Sequence, residues 1–134
     1  MDAAVVEKEL REVLNQRAAA EGIAAAWLFG SVARGTARPD SDVDAGVLYR
    51  KTPPLTFEGL CLDLEGDLER ALRLPVQLVV NRAPVDLIVR VLRDGKLLVD
   101  LDRSKRIQFE VSSRNEFWDL EPYLKLYRQG TVRR

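Results

Sequence analysis

Two short groups of residues have the types and spacing expected of a functional site: Gly30-Ser31, and the pair Asp42 and Asp44. Ten residues separate Ser31 from Asp42. Gly30 ends an apolar run and lets the backbone turn tightly, and Ser31 can cap a following helix. Free N–H groups at such a turn, the helix dipole and a hydroxyl donor favour an anion. Asp42 and Asp44 begin a predicted strand, whose alternation places both carboxylates on one face. The two groups therefore predict a phosphate site and a magnesium site.

Both groups also have structural interpretations. A strand that ends in an ordinary capped turn would explain the Gly-Ser pair, and aspartate is a common loop residue. A calcium-binding loop would also alternate acidic residues from Asp40 to Asp44. However, Ala45 and Lys51 stand where that loop requires glycine and glutamate. Because like charges on one strand face repel each other and a cation would relieve that repulsion, we favour a metal site.

Two arginines, Arg34 and Arg38, lie between the groups and could neutralise a triphosphate. A solvated loop charge is the competing interpretation for each, and we favour it for Arg38. Arg34 therefore joins Gly30 and Ser31 in the predicted nucleotide-binding set.

Length and composition limit the class of protein. The 134 residues predict a single domain spanning 1–134. The 21 basic and 21 acidic residues cancel, which argues against direct nucleic-acid binding by broad electrostatics. Charges within the first apolar positions exclude a signal peptide, and no apolar run reaches membrane-spanning length, so we expect a cytoplasmic protein. One cysteine and no histidine exclude an internal disulfide, an ordinary zinc site and a histidine base.

Hydrophobic periodicity predicts the elements that position these residues. Apolar and β-branched runs predict four strands, the last a short edge strand: Ile23–Phe29, residues 42–49, Val76–Val80 and Lys96–Asp100. Helical spacing and breaking residues predict a helix over residues 3–20, a short helix or turn from Ser31, a long helix from Thr56, and a helix from Ala83-Pro84 to Gly95. These elements predict an α/β (α+β) fold in which helices pack on a small mixed β-sheet.

The C-terminal helical region, about residues 102–129, is predicted as two helices or as one helix kinked at Pro122. Its aromatic residues have core spacing, with a partner interface as the alternative: Phe117, Trp118, Tyr123 and Tyr127. Cys61 is predicted to be in the core, and the alternating acids of residues 63–69 are predicted to form a solvated helix face.

The Gly30-Ser31 pair followed after ten residues by Asp42-x-Asp44 resembles the signature of the DNA polymerase β-like nucleotidyltransferase superfamily. The short chain, the arginine after the Gly-Ser pair and Ser41 before the first aspartate are similar to the minimal nucleotidyltransferases. Many of these are antitoxins paired with HEPN-domain toxins.

The resemblance implies a polymerase β-like fold and a specific activity. Asp42 and Asp44 would be catalytic and would bind Mg²⁺, while Gly30, Ser31 and Arg34 would bind ATP. The reaction would transfer AMP from ATP to a hydroxyl group of a HEPN-type toxin partner, a tyrosine by the same resemblance. A homo- or hetero-oligomer is compatible with this assignment.

Active members of the superfamily carry a third carboxylate on a later strand, and Gln77 stands at the position that matches it. Glutamine cannot accept a proton, although its amide oxygen can ligate a metal. A missing general base costs about 10²–10⁴ in rate. Asp86 and Asp100 are weak candidates to replace the carboxylate. The alternatives to an enzyme are therefore a catalytically weak nucleotide-binding antitoxin that acts by occlusion and, third, a nucleotide sensor.

Overall fold

The computed structural model describes residues 2–39, 41–51, 62–80 and 84–132. Five helices and four strands occur within these residues. In chain order they are α1 (Ala3–Glu21), β1 (Ile23–Phe29), α2 (Gly30–Arg34), β2 (Val43–Tyr49), α3 (Leu62–Leu72), β3 (Val76–Val80), α4 (Val85–Asp94), β4 (Lys96–Asp100) and α5 (Arg103–Val132). The predicted α+β class, with helices around a small mixed sheet, is confirmed.

The four strands form one sheet in the order β3-β2-β1-β4. β1 runs antiparallel to both β2 and β4, whereas β2 and β3 are parallel. All four predicted strands are present, and β4 is at an edge as expected. β2 begins at Val43, so Asp42 lies one residue before the strand and Asp44 lies within it.

Helix α1 shows how the local sequence sets an element's ends and its buried face. The Asp2 side chain accepts a hydrogen bond from the Ala4 N–H at 3.0 Å, which caps the first turn. Gly22 ends the helix in the left-handed conformation, with φ of 73°. Four buried residues spaced four apart form its apolar stripe: Val6, Leu10, Leu14 and Ala18.

Helices cover both faces of the sheet. The larger core cluster joins α1 and α3 to one face, and its members include Leu10, Leu28 and Leu68. The smaller cluster joins Trp27 of β1 to Val91 of α4 on the other face, with Phe109 of α5 packed against it. Because both faces of β1 are buried, this strand is apolar throughout rather than alternating.

Helix α3 supports the edge strand β3 through two carboxylates. Glu65 accepts a hydrogen bond from the Leu78 N–H at 3.2 Å, and Glu69 accepts one from the Val76 N–H at 3.1 Å. These two acids therefore satisfy edge-strand donors that would otherwise need water. Glu69 is exposed, as the predicted solvated face implies, whereas Glu65 is partly buried. The contacts of both with β3 were not predicted, because periodicity does not show that this face borders a sheet edge.

The C-terminal region is one helix, α5, with Pro122 inside it. The prediction that its aromatic residues are core was wrong for Trp118 and Tyr123, whose side chains are 64% and 70% exposed. The helix contacts α4 and β1, and Phe109 and Ser113, which pack against the core or are buried, both lie in its first half. The Tyr127 side chain, Cys61 and the predicted helix start at Thr56 lie outside the described residues. No helix among the described residues is long and apolar enough to cross a membrane.

Leu10→Ala tests the packing of α1 on the sheet. Leu10 is fully buried, so the truncation removes apolar contacts and leaves a cavity, and we expect it to lower the free energy of unfolding by about 3–5 kcal/mol. Urea denaturation followed by circular dichroism measures the change. Val5→Ala, at a half-exposed position of the same helix, is the matched control and should change stability by less than about 0.5 kcal/mol. Equal losses in the two variants would contradict the described packing.

Candidate active site

The pairing of β1 with β2 brings the two sequence groups together. Phe29 is the register partner of Asp44, so Gly30, the next residue, lies against the Asp44 side chain. A Cβ atom built on Gly30 would stand 2.4 Å from Asp44 Oδ2, and Gly30 has a φ of +75°. Any side chain at Gly30 would therefore clash with the carboxylate and strain the backbone.

The aspartates lie on the sheet face that α4 covers in part. Alternation along β2 places Asp44 on the same face as Gly46, whose own Cβ position is 3.1 Å from a Val91 methyl group of α4. The parallel pairing of β2 with β3 makes Gln77 the register partner of Asp44. Gln77 is exposed and lies beside Asp44 on the β3 side, as expected for the position of a third ligand.

The charges of the site act on one another. Burial raises the pKa of the Asp44 carboxyl, and the negative charge of Asp42 raises it further. The positive charge of Arg34, at the end of α2, lowers it in part. The structure thus brings Arg34, Asp42 and Asp44 close enough to interact, next to the turn that holds Gly30 and Ser31.

A compact loop connects α2 with Asp42. The Thr36 N–H donates to the Ser31 carbonyl at 2.9 Å and closes the end of α2. Further along, the Arg38 N–H donates to Ser41 Oγ at 2.7 Å, and the Ser41 N–H donates to the Arg38 carbonyl at 3.0 Å. Ser41 is therefore a turn residue here. The Arg38 side chain is exposed, and Asp40 lies outside the described residues.

Neither weak candidate supplies a third carboxylate. Asp86 is in the first turn of α4, and Asp100 pairs with Ala25 in the sheet and forms an ion pair with Arg106 at 3.0 Å. Ala25 is well before the end of β1, so Asp100 is distant from Gly30 along the strand. Across the described ranges, no three Asp, Glu, His or Cys residues are grouped so as to hold a metal ion.

The residues at this edge of the sheet nevertheless suit a divalent cation such as Mg²⁺. Two neighbouring carboxylates supply hard oxygen donors. Burial and, second, the negative charge of Asp42 raise the pKa of Asp44, and a bound cation would favour its ionised form. The missing side chain at Gly30 keeps Asp44 Oδ2 free of steric contact. The amide oxygen of Gln77 could serve as a neutral donor.

A cavity of about 160 Å³ adjoins the site on the α4 side. Its lining residues come from the end of β1, from α2 and from α4: Phe29, Gly30, Arg34, Leu87, Arg90 and Asp94. Arg90 and Asp94 were absent from the predicted site residues. Their place follows from topology, because β4 pairs with β1 and the preceding α4 must end near Phe29. Helix periodicity alone does not contain that information.

The electrostatics of Asp44 predict a stability effect that depends on pH. Because folding raises the pKa of Asp44, ionising this carboxyl costs the folded chain more than the unfolded chain. Its contribution to stability is fully present below its pKa in the unfolded chain, about 3.9, and is lost as the pH rises through its pKa in the folded chain. We therefore expect metal-free Asp44→Asn to unfold at a higher denaturant concentration than wild type at pH 7, and the difference to vanish near about pH 3. Urea melts at both pH values measure it.

Added Mg²⁺ provides the control for this prediction. It should stabilise the wild-type chain more than the Asn variant, because only the wild type retains both carboxylates. A metal-free Asp44→Asn variant that is less stable than wild type at pH 7 would contradict the electrostatic assignment.

Comparisons with known proteins agree with this geometry. The family model described as polymerase beta, nucleotidyltransferase matches residues 8–104. A structure described as a minimal nucleotidyltransferase is 33% identical, covers 72% of this chain and 95% of its own, and superposes with a TM-score of 0.60. A search of curated protein sequences finds no match.

Two toxin–antitoxin structures are similar over almost the whole chain. A chain of a toxin–antitoxin complex with AMP-PNP is 25% identical, with a TM-score of 0.78 and coverage of 94% of this chain and 98% of that one. A chain from the complex of a tri-AMPylated Shewanella oneidensis HEPN toxin with its MNT antitoxin is 22% identical, with a TM-score of 0.73 and coverage of 97% and 98%. The matched family model spans both signature groups and all four strands, and the chain therefore belongs to the polymerase β-like nucleotidyltransferase family.

Proposed function

We propose that the chain is a Mg²⁺-dependent nucleotidyltransferase that moves AMP from ATP to a hydroxyl group of a HEPN-type toxin and acts as its antitoxin. One observation carries the proposal: the Asp44 carboxylate lies against Gly30, so the predicted phosphate turn and the predicted metal ligands form a single site. The similar toxin–antitoxin complex with AMP-PNP supports an adenine nucleotide and a toxin partner.

Each residue has a role in this proposal. Gly30 and Ser31 bind the phosphates through the turn, and the Arg34 guanidinium neutralises phosphate charge. Asp42 and Asp44 hold Mg²⁺, which when bound polarises the α-phosphate and stabilises the leaving group. The acceptor oxygen forms a bond to the α-phosphorus, the bond from that phosphorus to the bridging oxygen breaks, and pyrophosphate leaves. The acceptor proton passes to solvent or to a partner group, because Gln77 cannot take it.

An occlusion antitoxin is the second candidate, and Gln77 favours it. The register pairing with Asp44 puts an amide where a third carboxylate would stand. Binding of nucleotide and partner uses the residues that are present, whereas rapid turnover needs a base that is absent. The chain would then keep its toxin inactive by covering it rather than by modifying it.

The C-terminal half of α5 supports a protein partner in both candidates. Three large apolar side chains are at least 64% exposed there: Trp118, Tyr123 and Leu126. Exposed aromatic side chains are enriched in the cores of protein interfaces, and clustered exposure of this kind is unusual on a monomer. This part of the helix is therefore our proposed contact surface for the toxin.

Incubation of the chain with labelled ATP, Mg²⁺ and a candidate HEPN-type toxin partner tests the enzyme proposal. We expect label on the toxin, release of pyrophosphate, and loss of both in an Asp42→Ala, Asp44→Ala double variant. Mass spectrometry of the toxin locates the added AMP. No transfer in conditions under which an active relative labels its own toxin would contradict the enzyme assignment.

The same double variant separates the two candidates through toxin neutralisation in cells. If the variant still binds the toxin but no longer neutralises it, occlusion is excluded. If it binds and neutralises as well as wild type, the catalytic antitoxin is excluded.

Gln77→Asp tests the role of the missing carboxylate. The side chain is exposed and beside Asp44, so an aspartate there adds a base without disturbing the core, and we expect transfer to rise about 10²–10⁴-fold. Gln77→Asn shortens the side chain equally without adding charge and is the matched control, which should show no gain. An equal rate for the Asp and Asn variants would contradict the proposed base position.

A further inference from the structure

We propose that Arg90 of α4 binds the terminal phosphate of the nucleoside triphosphate, in the cavity that it shares with Arg34. This inference rests on the proposed nucleotide site and adds a binding residue from outside the signature. The geometry that carries it is the meeting of α2, α4 and the end of β1 around one cavity of about 160 Å³ beside Asp44.

Close packing fixes the end of α4 at this place. A Cβ atom on Gly95, directly after the helix, would stand 3.2 Å from the Leu28 carbonyl oxygen and 3.4 Å from Trp27 Cβ. The backbone of Gly95 therefore lies against β1, and Lys96 then pairs with Leu28. Because Arg90 is about one turn before the helix end, it is held beside the Phe29-Gly30 turn.

The charges of the cavity favour an anion. Asp94 also lines it, but its carboxylate is engaged by Arg93, whose Nε and Nη2 donate at 3.0 Å and 3.2 Å. That hydrogen bond is the main cause of the lowered pKa of Asp94, and the charges of Arg93, Arg34 and Arg90 contribute to it. Because Asp94 is paired with Arg93, the guanidinium groups of Arg34 and Arg90 leave this side of the site positive, whereas Asp42 and Asp44 make the other side negative. If the α-phosphate lies at the metal ion that Asp42 and Asp44 would hold, the terminal phosphate lies further along the phosphate chain, where Arg34 and Arg90 can contact it.

Arg90 differs from Arg93 in its contacts: its charge acts on Asp94, but it forms no direct bond to that carboxylate. Arg93 is in the last turn of α4, where a cation stabilises the helix end, and it also binds Asp94. Within the described part of the chain, Arg90 forms neither a hydrogen bond nor an ion pair, and neither does Arg34. Two unpaired guanidinium groups on one cavity wall match the bidentate recognition of phosphate. The partly buried apolar residues Phe29 and Leu87 complete the wall.

Calorimetric titration of the full chain with AMP-PNP in the presence of Mg²⁺ tests the inference, because this triphosphate binds without turnover. We expect Arg90→Ala to weaken binding about 10–100-fold, since a charge-assisted phosphate contact is lost, and Arg90→Lys to lose less because the charge remains. Binding of ADP should change much less, since it lacks the terminal phosphate. Arg114→Ala, which removes an exposed arginine on α5, is the matched control for lost charge and should bind like wild type.

Three results would overturn the inference. If Arg90→Ala binds AMP-PNP with the affinity of a wild-type chain that binds normally, Arg90 is excluded as a phosphate ligand. The proposed nucleotide site itself would not be contradicted. Equal losses for AMP-PNP and ADP would exclude the terminal phosphate as its ligand. Absence of AMP-PNP binding by the wild-type chain would overturn the nucleotide site itself, and the role of Arg90 with it. Because Arg90 is exposed, unfolding midpoints equal to wild type are expected and confirm that each variant is folded.

Discussion

The antiparallel pairing of β1 with β2 is the constraint on which the site depends. It pairs Phe29 with Asp44, so the turn after β1 lies against the Asp44 carboxylate near the start of β2. The approach is possible only because Gly30 has no side chain and adopts a positive φ. A slip of one residue would turn Asp44 towards the opposite face, where the α1 and α3 side chains form the core. Burial of both faces of β1 therefore fixes the register that places Gly30 beside Asp44, and it also stabilises the fold.

The same arrangement concentrates charge that the fold alone does not need. Asp44 is partly buried beside Asp42, and both effects oppose its ionised form. Arg34 offsets only part of this cost. This unrelieved cost of ionising Asp44 supports the metal site that we propose.

Local sequence patterns predicted the strands, α1 and α4, and the two signature groups, because apolar runs, caps and glycine stops act within a few residues. They did not predict which distant elements would meet. Glu65 and Glu69 were expected in solvent because periodicity does not show that α3 borders the edge of β3. Arg90 was missed for the same reason, since its place depends on the pairing of β4 with β1. Trp118 has the spacing of a core residue but is exposed, because spacing along a helix does not show which part of the helix meets the core.

Gln77 would affect binding and turnover differently in the proposed site. The backbone that would present a third carboxylate is intact: β3 pairs in register with β2, and two glutamates of α3 hold its outer edge. The difference from a three-carboxylate site is therefore a single side chain rather than a displaced strand. An amide retains the oxygen donor and loses the charge and the proton acceptor, so it weakens metal binding less than it slows proton transfer. A site changed in this way would keep a nucleotide bound while turnover is slow. One chain would then both cover its partner and modify it.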